Sequence, residues 1–258
     1  MTLTPLEQKV YHALYEQEVF RSRDVEPVLK NYWTSVAIIR RLHKKGYVER
    51  IRRGLYAIVP IQSVGKEYAP ERILIADRVI EPYFLSHHTA LEVHGVAQSY
   101  FNTVFVSSKK RFQPFEYKGT KFTCIVTGDF FGTGKRLYLH RKVYVSDPER
   151  TILDCIRRPY HAGGLEELIK SITSFPLLDY NRLYKYLLRF DEKSLFHRTG
   201  YLMDMLKDDL RVPERFLDKV RKKLSQRTYY LETGKRGVYV KKWNIIVPKN
   251  IKEVMRFV

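Results

Sequence analysis

Thr34-Ser35-Val36-Ala37-Ile38-Ile39-Arg40-Arg41-Leu42-His43-Lys44-Lys45-Gly46, with Tyr47 to Ile51, Arg52-Arg53-Gly54 and Leu55 to Val59 behind it, is the stretch whose reading decides the fold. Val36, Ile39 and Leu42 recur three apart, the spacing of one buried face of a helix. Asn31 or Thr34 is placed to cap that helix, and Gly46 supplies a left-handed stop. The two β-type runs that follow flank a glycine-relieved tip and predict a hairpin. Upstream, Thr4 and Pro5 open a helix carrying Leu6, Val10, Tyr11 and Leu14, and Ser22 caps a short one over 24–30. Three helices followed by a hairpin make a winged helix-turn-helix.

On the third helix this phase turns Ser35, Ile38, Arg41 and Lys45 outward, with Arg40 and Lys44 flanking. A recognition helix needs an apolar rear to fix its pose and long cations toward the groove. Arginine suits guanine O6 and N7, and the hydroxyls of Thr34 and Ser35 reach phosphates or base edges. Arg52 and Arg53 at the tip, with Tyr56 behind them, form the wing. The expected DNA-binding set is therefore Thr34, Ser35, Ile38, Arg40, Arg41, Lys44, Lys45, Arg52, Arg53 and Tyr56. Residues 31–60 hold seven Lys/Arg against the single acid Glu49, a net +6.

The whole chain has 258 residues and a net charge of +19, with 44% hydrophobic and 29% charged residues. That is a globular composition whose basic balance calls for an anionic partner. No apolar run approaches the ~20 residues of a membrane span. The N-terminal residues lack the basic-then-apolar pattern of a signal peptide, so a cytoplasmic location is expected. Cys124 and Cys155 have no metal or disulfide spacing and read as small apolar residues. The predicted fold is α+β: a winged helix over 1–60, a mixed central domain over 61–175, and a mainly helical region over 176–258 that ends in a hairpin formed by 238–240 and 243–247. Pro60 to Pro70 reads as a linker.

Thr34-Ser35-Val36, Arg40-Arg41-Leu42, Lys45-Gly46-Tyr47-Val48 and Arg53-Gly54-Leu55-Tyr56 together resemble the N-terminal winged-helix domain of AbiEi-type antitoxins. The likeness continues through Phe84-Leu85-Ser86-His87-His88-Thr89-Ala90-Leu91-Glu92-Val93-His94-Gly95, through Val145-Ser146-Asp147-Pro148-Glu149-Arg150-Thr151-Ile152-Leu153-Asp154, and through Gly163-Gly164-Leu165-Glu166-Glu167. The resemblance implies a repressor of double-stranded promoter repeats, encoded beside a nucleotidyltransferase-like toxin whose effect it counters. It implies no cofactor, no membrane and no enzymatic activity. A stand-alone regulator without a toxin has the same architecture, and a metal-dependent nucleic-acid enzyme using the central domain is the rival of another class.

Other clusters have simpler readings. His87, His88 and His94 lack the i, i+4 spacing of a helical metal site. Asp147 reads as an N-cap, Glu149 as a first-turn acid, and Arg150 with Asp154 as an i, i+4 pair. Gly132-Thr133-Gly134-Lys135 has Arg136 where a phosphate loop needs Ser or Thr, so it reads as a turn. Lys219, Arg221, Lys222, Lys223 and Arg227, with Lys235, Arg236, Lys241 and Lys242 nearby, are either an auxiliary DNA surface or a solvated or protein-binding face.

Overall fold

The computed structural model of the protein describes residues 2–232 and 237–251. Its first helix, α1 (Pro5–Tyr15), starts on a reciprocal cap. Thr4 Oγ1 accepts from the Glu7 amide, and the Glu7 carboxylate accepts from the Thr4 amide at 2.7 Å. Strand β1 (Val19–Arg21) follows. The single helix expected over 24–30 is instead a 3-10 turn (Ser22–Asp24) and α2 (Glu26–Leu29), because the Asp24 carboxylate turns back to accept from the Arg21 amide at 2.7 Å. Helix α3 (Tyr32–Lys44) is capped by Asn31, whose side chain accepts from Thr34 N at 2.9 Å. Strands β2 (Val48–Arg52) and β3 (Leu55–Ile58) form the hairpin, and β1 adds to β3 as a third, antiparallel strand.

Alternation along this small sheet decides how the winged helix is mounted. Phe20, Val48 and Ile58 pack against α1 and α3 with Val10, Tyr11, Leu14, Ile38, Ile39 and Leu42. Val19, Ile51, Leu55 and Ala57 point the other way, into a core shared with Ile73, Ile75 and Ala76 of α4 (Arg72–Val79) and with the central sheet. The segment expected as a linker holds one 3-10 turn (Ile61–Ser63), and apolar packing runs continuously across it. Polar links reinforce the joint: Arg21 to Glu81 at 3.0 Å, Arg141 to the Gln17 carbonyl at 2.6 Å, and Lys118 to Glu49 at 3.1 Å.

The central sheet comprises β4 (Tyr83–Leu85), β5 (Thr103–Ser108), β6 (Phe115–Tyr117), β7 (Thr120–Val126), β8 (Thr133–Tyr138) and β9 (Arg141–Ser146). Its order is β6-β7-β5-β4-β9-β8, with β5 parallel to β7 and β4 parallel to β9. Helices α5 (His87–His94) and α6 (Pro148–Arg157) carry its packing into the third core. That core is built by α7 (Leu165–Thr173), α8 (Tyr180–Phe190), α9 (Lys193–Met205) and α10 (Glu214–Arg221). A small sheet of β10 (Tyr229–Tyr230), β11 (Gly237–Val240) and β12 (Ile245–Pro248) closes the chain. Its β11–β12 pair is antiparallel, β10 lies parallel on the far side of β12, and Trp243 sits in a 3-10 turn rather than a strand. The fold is α+β, and no helix among the described residues is long and apolar enough to cross a membrane.

Candidate nucleic-acid interface

Helix α3 is rotated relative to the phase expected from its sequence. The buried stripe is Ser35, Ile38, Ile39 and Leu42, so Ser35 and Ile38 do not face outward. Ser35 Oγ is spent on the Asn31 carbonyl at 2.8 Å. Ile38, at 1% exposure, is a core residue of the winged helix. Lys45 also leaves the outward face: its ammonium donates to the buried Glu7 carboxylate at 2.7 Å and to the Thr2 carbonyl at 3.0 Å. The adjacency of Ile38 and Ile39 makes this phase the better one, because it buries both branched side chains together with Leu42, whereas the other phase leaves Ile38 in water.

What α3 presents instead is Trp33, Ala37, Arg40, Arg41 and Lys44, all exposed and separated by four, seven, eight and eleven residues, one continuous face. Trp33 is 78% exposed and stands edge-on to Tyr32, ring centroids 5.3 Å apart. An exposed tryptophan on the first turn of the helix is the functional candidate that the sequence reading missed; helical spacing from Arg40 and Arg41 pointed back to it. Thr34 is half-buried beside it.

Between this face and the hairpin runs a cleft of about 450 Å³, lined among others by Arg40, His43, Arg50, Arg53 and Tyr56. Arg53 is exposed at the tip, and Arg50 joins it as a second cation that the sequence reading left out. Tyr56 is half-buried and stacked on Phe20, with centroids 5.7 Å apart. Arg40, Arg41, Lys44, Arg50 and Arg53 form no ion pair among the described residues. Arg52, expected beside Arg53, turns the opposite way and lies over the Phe115 ring of the central sheet at 4.9 Å.

Elsewhere the charged clusters are engaged within the fold. His88 is fully buried between Glu92 at 2.9 Å and Glu167 at 3.4 Å. His94 contacts the Ser146 carbonyl, and its pKa is lowered chiefly by burial. Asp147 caps α6 and accepts from Tyr186, Glu149 accepts from the Asp179 amide, and Asp154 pairs with Arg150 at 2.9 Å. No group of three His, Cys, Asp or Glu side chains suited to a metal ion occurs among the described residues. In the basic C-terminal region Arg221 pairs with Asp218 and Lys242 with Asp204. Lys235 and Arg236 lie outside the described residues.

A solved structure, that of the RV2827C protein from Mycobacterium tuberculosis, superposes with a TM-score of 0.69 at 15% identity. The alignment covers 99% of this chain and 95% of that one, a likeness of fold. No curated protein matches the sequence significantly. Residues 13–59, which span β1 to β3 and all of α3, match the family model described as "Transcriptional regulator, AbiEi antitoxin". Over those residues the winged helix that carries Trp33, Arg40, Arg41 and Arg53 is thus similar to a family described as AbiEi antitoxin transcriptional regulators.

Proposed function

We propose that the protein is a sequence-specific double-stranded DNA-binding repressor that docks α3 in a major groove and the hairpin tip on the adjoining backbone. The observation that carries this reading is the cationic face: five Lys/Arg side chains on α3 and the hairpin, none neutralised by a carboxylate among the described residues, around an apolar-backed helix. Unpaired cations on one surface favour a polyanion, because each phosphate contact releases a condensed counterion. In this reading Arg40 and Arg41 read base edges, and Arg50, Arg53 and Lys44 hold phosphates. Within a family described as antitoxins, the same activity serves as autorepression of an operon that also encodes a toxin, and the nucleotidyltransferase-like partner belongs to this reading.

The test is a fluorescence-anisotropy titration of the intact protein with a duplex from its own upstream region and with a shuffled duplex. The proposal requires tighter binding to the first and loss of that preference in the Arg40→Ala/Arg41→Ala double variant. Equal affinity of wild type and variant for both duplexes overturns it.

A further inference from the structure

On the opposite side of the central sheet from the wing contacts, parallel strands β5 and β7 end at a cavity of about 240 Å³ that the DNA reading does not use. Its charged and polar walls are His87, Asp129, Arg150, Asp154, Arg157 and Arg158. Arg150 is neutralised by Asp154. Arg157 gives its Nε to Glu192 at 2.5 Å and lies over the Phe190 ring at 5.2 Å, and Arg158 has no ion-pair partner among the described residues. Both arginines line one small enclosure, where of the two carboxylates Asp154 is paired and Asp129 forms no ion pair among the described residues.

His87 forms the floor. It is buried, its Nδ1 engages Ser86 Oγ at 2.9 Å, and it is held at φ 53°, a left-handed conformation that side chains with a β-carbon rarely adopt. Such strain is kept where the surroundings hold a side chain in a required place. Its ring lies 5.0 Å from His161, whose buried Nδ1 has no hydrogen-bond partner among the described residues. Burial, then the neighbouring His161 and the three arginines, keep the His87 pKa well below the usual histidine range. The ring is therefore neutral, with Nε2 able to donate or accept.

The cavity is smaller than the ~300–1,000 Å³ that takes a whole small molecule. It opens beside a second cleft that shares Arg157 and Arg158 and is lined by Tyr160, His161 and Arg198. Tyr160 is 81% exposed and stands against the His161 ring with centroids 4.6 Å apart. An arginine fork enclosing a group-sized hole matches the tetrahedral oxygens of a phosphate, and an exposed aromatic edge beside it offers a face for a base.

We propose that this paired cavity and cleft bind the terminal phosphate monoester of a nucleotide, with the phosphate held by Arg157 and Arg158 over His87 and the base resting against Tyr160. The site is separate from the α3 face, so it stands or falls independently of duplex recognition.

Calorimetric titration of the full-length protein tests it with four probes: deoxyadenosine 5′-monophosphate, deoxyadenosine, and one short single strand bearing either a 5′-phosphate or a 5′-hydroxyl. A phosphorylated probe should bind at least about tenfold more tightly than its hydroxyl counterpart, the effect of one charge-assisted contact. Arg158→Ala removes an exposed side chain that forms no ion pair among the described residues and should abolish that difference, with Arg158→Lys restoring part of it. Preference for the free nucleotide or for the strand identifies the source of the phosphate. Equal binding of the phosphorylated and hydroxyl forms, or a preference unchanged in Arg158→Ala, overturns the proposal. Substitutions on α3 should leave the preference for the phosphorylated over the hydroxyl form unaltered, whatever they do to the overall affinity for the strands.

Discussion

The guanidinium of Arg52 lies 4.9 Å from the centre of the Phe115 ring, and 5.9 Å from that of Phe112, so the hairpin of the winged helix grips the central sheet through a cation over two aromatic faces. Its neighbour Arg53 points into solvent. Two adjacent arginines therefore point in opposite directions. Arg52→Ala should lower stability by about 0.5–2 kcal/mol and leave duplex affinity unchanged. Arg53→Ala should do the reverse. Thermal unfolding paired with anisotropy titrations separates the two, and a matching loss of affinity in both variants would show that Arg52 reaches DNA.

For the reading face, Arg41→Ala should cost about 1–3 kcal/mol on the preferred duplex and relax its sequence preference. Arg53→Ala should weaken all duplexes alike and reduce the slope of log affinity against log salt by about 1. Salt titrations of the two variants on matched and shuffled duplexes check both statements.

The rotated phase of α3 gives its own test. Ile38→Ala should destabilise the protein by about 2–5 kcal/mol, the cost of truncating a buried aliphatic side chain. The folded fraction should keep its DNA affinity. An exposed Ile38 in the groove would give the opposite pattern, with full stability and weakened binding, in chemical denaturation followed by titration.

Helix α3 and the hairpin were legible because their cues are local: helical spacing, a cap, a glycine stop and a glycine tip. The phase of α3 was not, because Val36 lies three residues before Ile39 and Ile38 lies four before Leu42, both helical spacings, and only the packing against α1 and β2 decides between them. Trp33 was overlooked for the same reason, since a tryptophan is ordinarily assigned to a core. Strand β1 is three residues long and β4 likewise, too short for alternation to register. Strand β8 is an edge strand whose side chains are nearly all outside the core, so it carries no apolar pattern at all. Arg150–Asp154 was read correctly from an i, i+4 spacing. The cavity beside it was invisible in sequence, since His87 and Arg158 meet only through the fold.

Acid should loosen the N-terminal helix specifically. Burial raises the Glu7 pKa, but the Lys45 and Thr4 hydrogen bonds outweigh it and hold the carboxylate below its usual range. A depressed folded-state value means that this carboxylate contributes stability above its unfolded pKa and loses the contribution as pH falls through the folded one. Denaturant midpoints measured from neutral to acid pH should fall less steeply in Glu7→Gln than in wild type. Lys45→Ala, which strands the buried carboxylate, should cost about 1–3 kcal/mol at neutral pH.

At the far end of the molecule, a β-carbon at Gly200 would fall against the ring of the buried Trp243. That indole donates to Asp204 at 2.8 Å and cannot easily move aside. Gly200→Ala should therefore destabilise by about 1–3 kcal/mol, although alanine is the better helix former by about 1 kcal/mol. A gain in melting temperature would show that the tryptophan has room to yield.

The two-sided hairpin sheet has a consequence for how the reading head can be inherited or transplanted. Val19, Ile51, Leu55 and Ala57 share their apolar cluster with residues beyond position 60. A fragment cut at that point would carry a bare greasy plate on its back and would stick to itself rather than to an operator. In this protein the winged helix is not a cassette to be grafted onto other partners; it is one wall of a larger building, and its orientation is set by the rest.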